Sequence, residues 1–172
     1  MRRIITVIII IIACFLLQVT LFQSLEIASI SPNLLIVVVS AFGFMRGRKE
    51  GMIIGFFCGL LIDIFYGEIL GFYALIYLYI GFMNGLAKKL FYPDDIKLPM
   101  LLIACSDFGL NIIIYFFQFL FRNQTDFGYY LAHIIVPELL YTIIITLVLY
   151  FILLKVNTHL EKIEKRSAKK FV

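Results

Sequence analysis

The sequence predicts an all-α fold: a polytopic membrane bundle of six transmembrane helices, forming one domain over residues 1–172. Three observations predict it. The chain is 63% hydrophobic and only 15% charged, whereas a soluble domain carries about 25% charged residues to hold its surface in water. Its mean hydropathy is +1.03. The apolar residues are gathered into six runs, at about 4–22, 33–46, 51–66, 70–87, 98–121 and 134–154, with Lys and Arg concentrated between and beyond them. At this length there is no spare chain for a soluble catalytic module.

The first run, "MRRIITVIIIIIACFLLQ", has a basic start, but its apolar stretch is longer than a signal-peptide core and no A-x-A site follows. It is expected to stay as a span. Crossing ~30 Å of hydrocarbon at ~1.5 Å per residue takes about 20 apolar residues. The first, fourth, fifth and sixth runs meet that length. The second opens with "SPNLL", where Ser31 is the expected N-cap and Pro32 and Asn33 start the helix. The second and third runs are short and are divided by "RGRKE". Short spans require local thinning, snorkelling ends or burial inside a bundle.

The third run carries the most specific pattern. Gly51, Gly55, Gly59, Asp63, Gly67 and Gly71 recur every four residues. Within one helix that spacing forms a single ridge, and glycines on it let another backbone approach closely. An ionised carboxylate at the bilayer centre costs about 3 kcal/mol on insertion scales. The ridge therefore turns Asp63 toward protein. It lies about 18 Å of helix from Gly51, a turn below the loop "YGEIL". Gly67 is expected to supply a tight turn there, and Gly71 to start the fourth span.

The fourth run has a polar and small-residue seam of Tyr73, Tyr77, Gly81, Asn84 and Lys88, with Gly81 and Gly85 forming a G-x-x-x-G. The fifth has Asp107, Asn111, Tyr115 and Gln118 on one stripe, extended by Arg122. That stripe is either a polar seam between helices or a solvent pathway or ligand site, with Asp107 near the midplane. The sixth opens with "HIIVPELLYT". Pro137 is expected near the helix start, with Glu138 in the first turns, where the helix dipole favours an anion. Tyr141 and Thr142 share its face, and His133 is nearby. Glu138 is expected at a depth similar to that of Asp63, facing either a common cavity or a separate partner, and apart in depth from Asp107.

Orientation follows from the basic residues. With six spans and the N-terminus inside, every Lys and Arg except Arg122 falls on the cytoplasmic side; five spans would put the basic tail outside. The tail, 155–172, carries as much net charge as the whole chain, +4. It suits either the anionic inner leaflet or a solvated helical extension that only fixes topology, and it gives no sign of nucleic-acid binding. Cys14, Cys58 and Cys105 lie far apart in apolar runs and read as buried free thiols. No metal, cofactor or catalytic motif is present in the sequence.

"SPNLLIVVV", "RGRKEGMIIGFFCGLLIDIFYGEILGFYALIYLYIGFMNG" and "VPELLYT" together resemble MreD, the family of rod shape-determining membrane proteins. The specific parts are Gly59, Asp63, Gly67 and Gly71, and Pro137, Glu138 and Tyr141; Thr142 stands where the family often has Asn. The resemblance implies a fold similar to the substrate-binding components of energy-coupling-factor transporters. It also implies a bacterial cytoplasmic membrane location and no enzymatic activity. The implied partners are MreC, MreB filaments and a SEDS glycosyltransferase with its penicillin-binding protein.

Three functions follow as expectations. The first is a scaffold or regulatory subunit for lateral peptidoglycan synthesis, with Asp63, Glu138, Pro137, Tyr141, Asn33, Asp107 and Asn111 as partner-binding or structural polar residues. The second is a substrate-binding subunit of a vitamin transporter. The third, an intramembrane enzyme using Asp63, Asp107 or Glu138, lacks any supporting motif.

Overall fold

The structure, a computed structural model, describes residues 2–24, 31–67, 69–90, 96–120 and 127–168; Arg122 and Glu68 lie outside them. The described residues are almost wholly helical, with no strand among them. In chain order they form α1 (Arg2–Ser24), α2 (Leu34–Arg46), α3 (Arg48–Tyr66) and α4 (Phe72–Leu86), which ends in a 3-10 turn, Ala87–Leu90. After these come α5 (Lys97–Ile114), continued by a π-helical stretch Tyr115–Leu120, then α6 (Phe127–Tyr130), a π turn Leu131–Ile135, and α7 (Val136–Ala168).

The core is built around α2. Every residue from Leu34 to Met45 is buried; "LLIVVVSAFGFM" is apolar on all sides, so it can be enclosed by other helices on every face. Five other helices, α1, α3, α4, α5 and α7, surround it. Burial inside the bundle is thus how a helix of only 13 residues is accommodated. α1 shows the opposite pattern: Ile4, Ile8, Ile9, Ile12 and Leu16 are exposed, while Ile11, Cys14 and Phe15 pack inward.

Three helical stretches are long and apolar enough to cross a membrane: Arg3–Thr20, Lys97–Phe117 and Phe127–Ile163. The fourth expected span is shorter than the sequence predicts, at 15 residues of α-helix. Gly71 adopts a left-handed conformation, φ 102°, so the helix starts only at Phe72, and it tightens into the 3-10 turn at Ala87. α3 has 19 residues but carries Arg48, Lys49, Glu50 and Asp63. α2, α3 and α4 therefore form a set of short helices packed on one another.

The α3–α4 hairpin is the tightest contact. A Cβ on Gly55 would strike the Tyr77 carbonyl; one on Gly59 would strike Tyr73 and Ala74 backbone; one on Gly51 would strike the Gly81 carbonyl. Reciprocally, Gly81 faces the Gly51 carbonyl and Gly85 faces Arg48 backbone. The glycine ridge therefore faces protein, as its spacing predicts, and its partner is α4 of the same chain.

The basic residues gather at one end of the bundle. There Arg3 pairs with Glu50 at 2.5 Å, Lys88 donates to the Arg46 carbonyl at 2.7 Å, and Arg46 bonds the side chain and carbonyl of Asn157. The tail begins as a helical extension of the last span: α7 runs on to Ala168, with Asn157 and Leu160 buried. Cys14 and Cys58 are buried free thiols as expected, but Cys105 is exposed, since it falls on the outward face of α5.

Candidate functional site

The end of the bundle opposite the basic residues holds the polar cluster. It starts from the N-terminus of α2, whose leading N–H groups have no partner within their own helix. Asn33, rather than the expected Ser31, is the cap: its Oδ1 accepts from Ile36 N at 3.2 Å. Gln18 of α1 supplies Oε1 to Leu34 N at 3.0 Å and Leu35 N at 3.3 Å. Asn33 Oδ1 also accepts from the Tyr77 hydroxyl at 3.0 Å, and its N–H donates to Thr142 Oγ1 at 3.2 Å. One asparagine thus ties α2 to α4 and α7. Gln18 escaped sequence reasoning, because a single Gln at the end of an apolar run carries no spacing signal.

Asp63 is buried, only 3% exposed, and its charge is met within the chain. Its carboxylate accepts three backbone N–H groups at the start of α4: Gly71 at 3.0 Å, Tyr73 at 2.9 Å and Ala74 at 2.9 Å. Hydrogen bonds to an anion are about twice as strong as neutral ones, and the positive end of the α4 dipole adds to them. Asp63 is therefore an N-terminal cap donated by the preceding helix. Gly71 enables it, since its left-handed turn aims the N–H groups back at α3. The turn role expected of Gly67 falls to Gly71. Gly67 is extended, φ −77°, and is glycine because a Cβ there would strike the Asp63 backbone.

Asp107 and Glu138, expected apart in depth, are electrostatic neighbours, with Glu138 facing Asn111 one turn along α5 from Asp107. They lie within electrostatic reach of one another and of the Tyr77 hydroxyl. The last helix does not begin near Pro137. Helical structure starts at Phe127 and passes through the π turn Leu131–Ile135, with Val136 N bonding to Leu131 O. The wider turn accommodates the ring and missing N–H of Pro137 one residue later. Asp107 is wholly buried, and neither carboxylate oxygen meets a hydrogen-bonding partner at bonding geometry; Thr142 is among the groups facing it. Glu138 faces Asn111, whose amide donates to the Asp107 carbonyl at 3.1 Å.

Above these groups is a cavity of about 350 Å³. Glu138, Asn111, Asn33 and Gln18 line it, and so do the aromatic residues Phe15, Tyr66, Tyr73, Tyr77 and Tyr130. Asp63 is not among its lining residues, so Asp63 and Glu138 do not share it. Tyr141 is half-buried outside it, and His133 is exposed and stacked on Tyr129 with ring centroids 4.2 Å apart. Nearer the basic end, Asn84 donates to Ser40 Oγ at 3.3 Å, Ser106 Oγ at 2.7 Å and the Ile80 carbonyl at 2.9 Å, which joins α4 to α2 and α5. No group of three His, Cys, Asp or Glu side chains suited to a metal occurs among the described residues.

Fold and site define a class: a helical membrane protein with three membrane-length helical stretches, a glycine-packed hairpin and a polar cavity at one end. The family model for the rod shape-determining protein MreD matches residues 1–158. The chain belongs to the MreD family. No curated protein and no solved structure matches it, and the expected likeness to energy-coupling-factor components gains no support.

Proposed function

We propose that the chain is a non-catalytic membrane subunit of the bacterial cell-shape and elongation machinery, scaffolding or regulating lateral peptidoglycan synthesis together with MreC. The family match over residues 1–158 carries this reading. In it the protein sits in the cytoplasmic membrane with six spans and both termini inside. The basic end, with Arg3, Arg46, Arg48, Lys49 and Lys88, then faces the cytoplasm. Lys155 and Lys162, exposed on α7, are placed to meet anionic lipid. MreB and a SEDS glycosyltransferase with its penicillin-binding partner belong to the same proposal.

The surface offered to partner spans is apolar. On α7, Val136, Leu140, Ile144, Val148 and Ile152 are all exposed and recur every four residues, so they form one ridge. The polar residues work mainly behind it: Asn33, Asp63 and Asn111 hold the helices in register, while Pro137 and Tyr141 flank the ridge as candidate contacts. The vitamin-transporter alternative gains no support from the matched family.

Depletion of the protein followed by microscopy tests the reading. Rounded cells with delocalised wall synthesis are expected; unaltered rods would sink it. Co-purification of MreC with a chain carrying Leu140→Arg and Ile144→Arg tests the ridge, and undiminished recovery would remove that surface from the proposal.

A further inference from the structure

The cavity beside Glu138 has an unusual balance of chemistry. Buried carboxylates are normally paired with a cation or tied up by donors. Asp63 follows that rule through three N–H groups. Asp107 has less to hold it: both its oxygens are wholly buried, no partner reaches full bonding geometry, and the uncharged Thr142 hydroxyl is what faces it. Glu138, next to it, has an uncharged neighbour in Asn111. Among the described residues lining the cavity none is basic, while five are aromatic. Aromatic rings attract cations through their quadrupole. The volume, about 350 Å³, is at the small end of ligand pockets.

We propose that this cavity binds a small organic ammonium, a primary amine either free or as the headgroup of a lipid. The carboxylate of Glu138 would receive the ammonium, and Asp107 just behind it would add to the negative potential. Tyr73, Tyr77 and Tyr130 would enclose the aliphatic part. A primary amine fits better than a metal ion. No three-ligand cluster exists among the described residues, whereas three N–H donors match the acceptors of Glu138, Asn111 and the tyrosine hydroxyls. It fits better than an anion, which the two carboxylates would repel. The proposal is independent of the partner surface on α7.

The full chain, purified in a neutral detergent, provides its own probe: it has 10 tyrosines and no tryptophan. Titration with ethanolamine should change tyrosine emission saturably and raise the thermal midpoint. Ethylene glycol, a neutral analogue of similar size, should do neither. Glu138→Gln, nearly isosteric, should weaken ethanolamine binding by about tenfold or more. If that variant fails to fold, the comparison of ethanolamine with ethylene glycol on the wild-type protein still decides. Equal responses to the two compounds would overturn the proposal, and so would no response to either, or undiminished binding by a folded Glu138→Gln. Native mass spectrometry separates the sources. Selective retention of phosphatidylethanolamine over phosphatidylglycerol supports a lipid headgroup; no retained lipid with saturable ethanolamine binding supports a free amine.

Discussion

The carboxylate of Asp63 accepts the backbone N–H of Ala74 at 2.9 Å, across the turn from α3 to α4. The acidic group at the end of a glycine ridge thus closes the hairpin that the ridge packs. Gly59 lies one turn before Asp63 on the ridge, against Tyr73 and Ala74 backbone, so close packing and capping act on the same turn of α4.

Removing the cap is therefore expected to lower stability. Asp63→Ala leaves the N–H groups of Gly71, Tyr73 and Ala74 without their acceptor in a largely buried place. The expected loss is about 2 kcal/mol, at the upper end for a helix cap. Thermal unfolding of the purified protein in detergent measures it. A shape defect with an unchanged unfolding midpoint would instead make Asp63 a contact for a partner.

Glycines in this chain should divide into two classes. Gly55→Ala puts a methyl group into the Tyr77 carbonyl, and the helices must separate to admit it; a loss of about 1–3 kcal/mol is expected. Gly109 lies within α5, and a Cβ there would meet nothing within 4 Å, so Gly109→Ala should be neutral or stabilise by up to about 1 kcal/mol. The same unfolding assay on both variants checks the contrast.

Which of these roles could be read in the sequence depends on whether the interaction is periodic. The ridge through Gly51, Gly55, Gly59 and Asp63 was legible, because a four-residue repeat fixes one helix face regardless of what packs on it. That the acceptor of that face is α4, and that Asp63 caps it, depends on the path of a turn set by Gly71's positive φ, which spacing does not encode. The all-round burial of α2 was legible only as one of three ways to accommodate a short span, because apolar composition alone does not separate it from α1, much of which is exposed. The electrostatic proximity of Asp107 and Glu138 was not legible. Depth reckoned at a constant rise from Pro137 misses the helix that begins at Phe127 and the π turn before Val136. Gln18 and Asn33 act through end groups of α2, where one residue suffices and no repeat announces it.

Asn33 and Tyr77 should prove coupled. Tyr77→Phe removes the 3.0 Å bond to Asn33 Oδ1 and is expected to cost about 1 kcal/mol. Asn33→Ala removes that bond and the cap on Ile36 N together, at about 2 kcal/mol. In the double variant the losses should fall short of additive by about 1 kcal/mol. Full additivity in the unfolding assay would mean that the two side chains do not bond.

The two buried aspartates should respond to the same substitution with opposite signs. Asp63 faces three donors, and Asn in its place keeps one carbonyl oxygen, loses the charge and turns an amide N–H group toward backbone donors. Asp63→Asn is expected to destabilise by about 1–2 kcal/mol. Asp107 faces the uncharged Thr142 hydroxyl, with no partner at full bonding geometry for either oxygen, so an ionised carboxylate there would be a burden on the folded bundle rather than a tie within it. Replacing an uncompensated buried charge by a neutral group of the same shape relieves desolvation. Asp107→Asn should therefore unfold at a higher temperature than the parent when both are measured without added amine. Ethanolamine should then narrow the difference, because an ammonium held by Glu138 stabilises the chain that also keeps Asp107 more than the chain that has lost it. A lower midpoint for Asp107→Asn in the absence of amine would show that Asp107 has a stabilising partner in the folded protein.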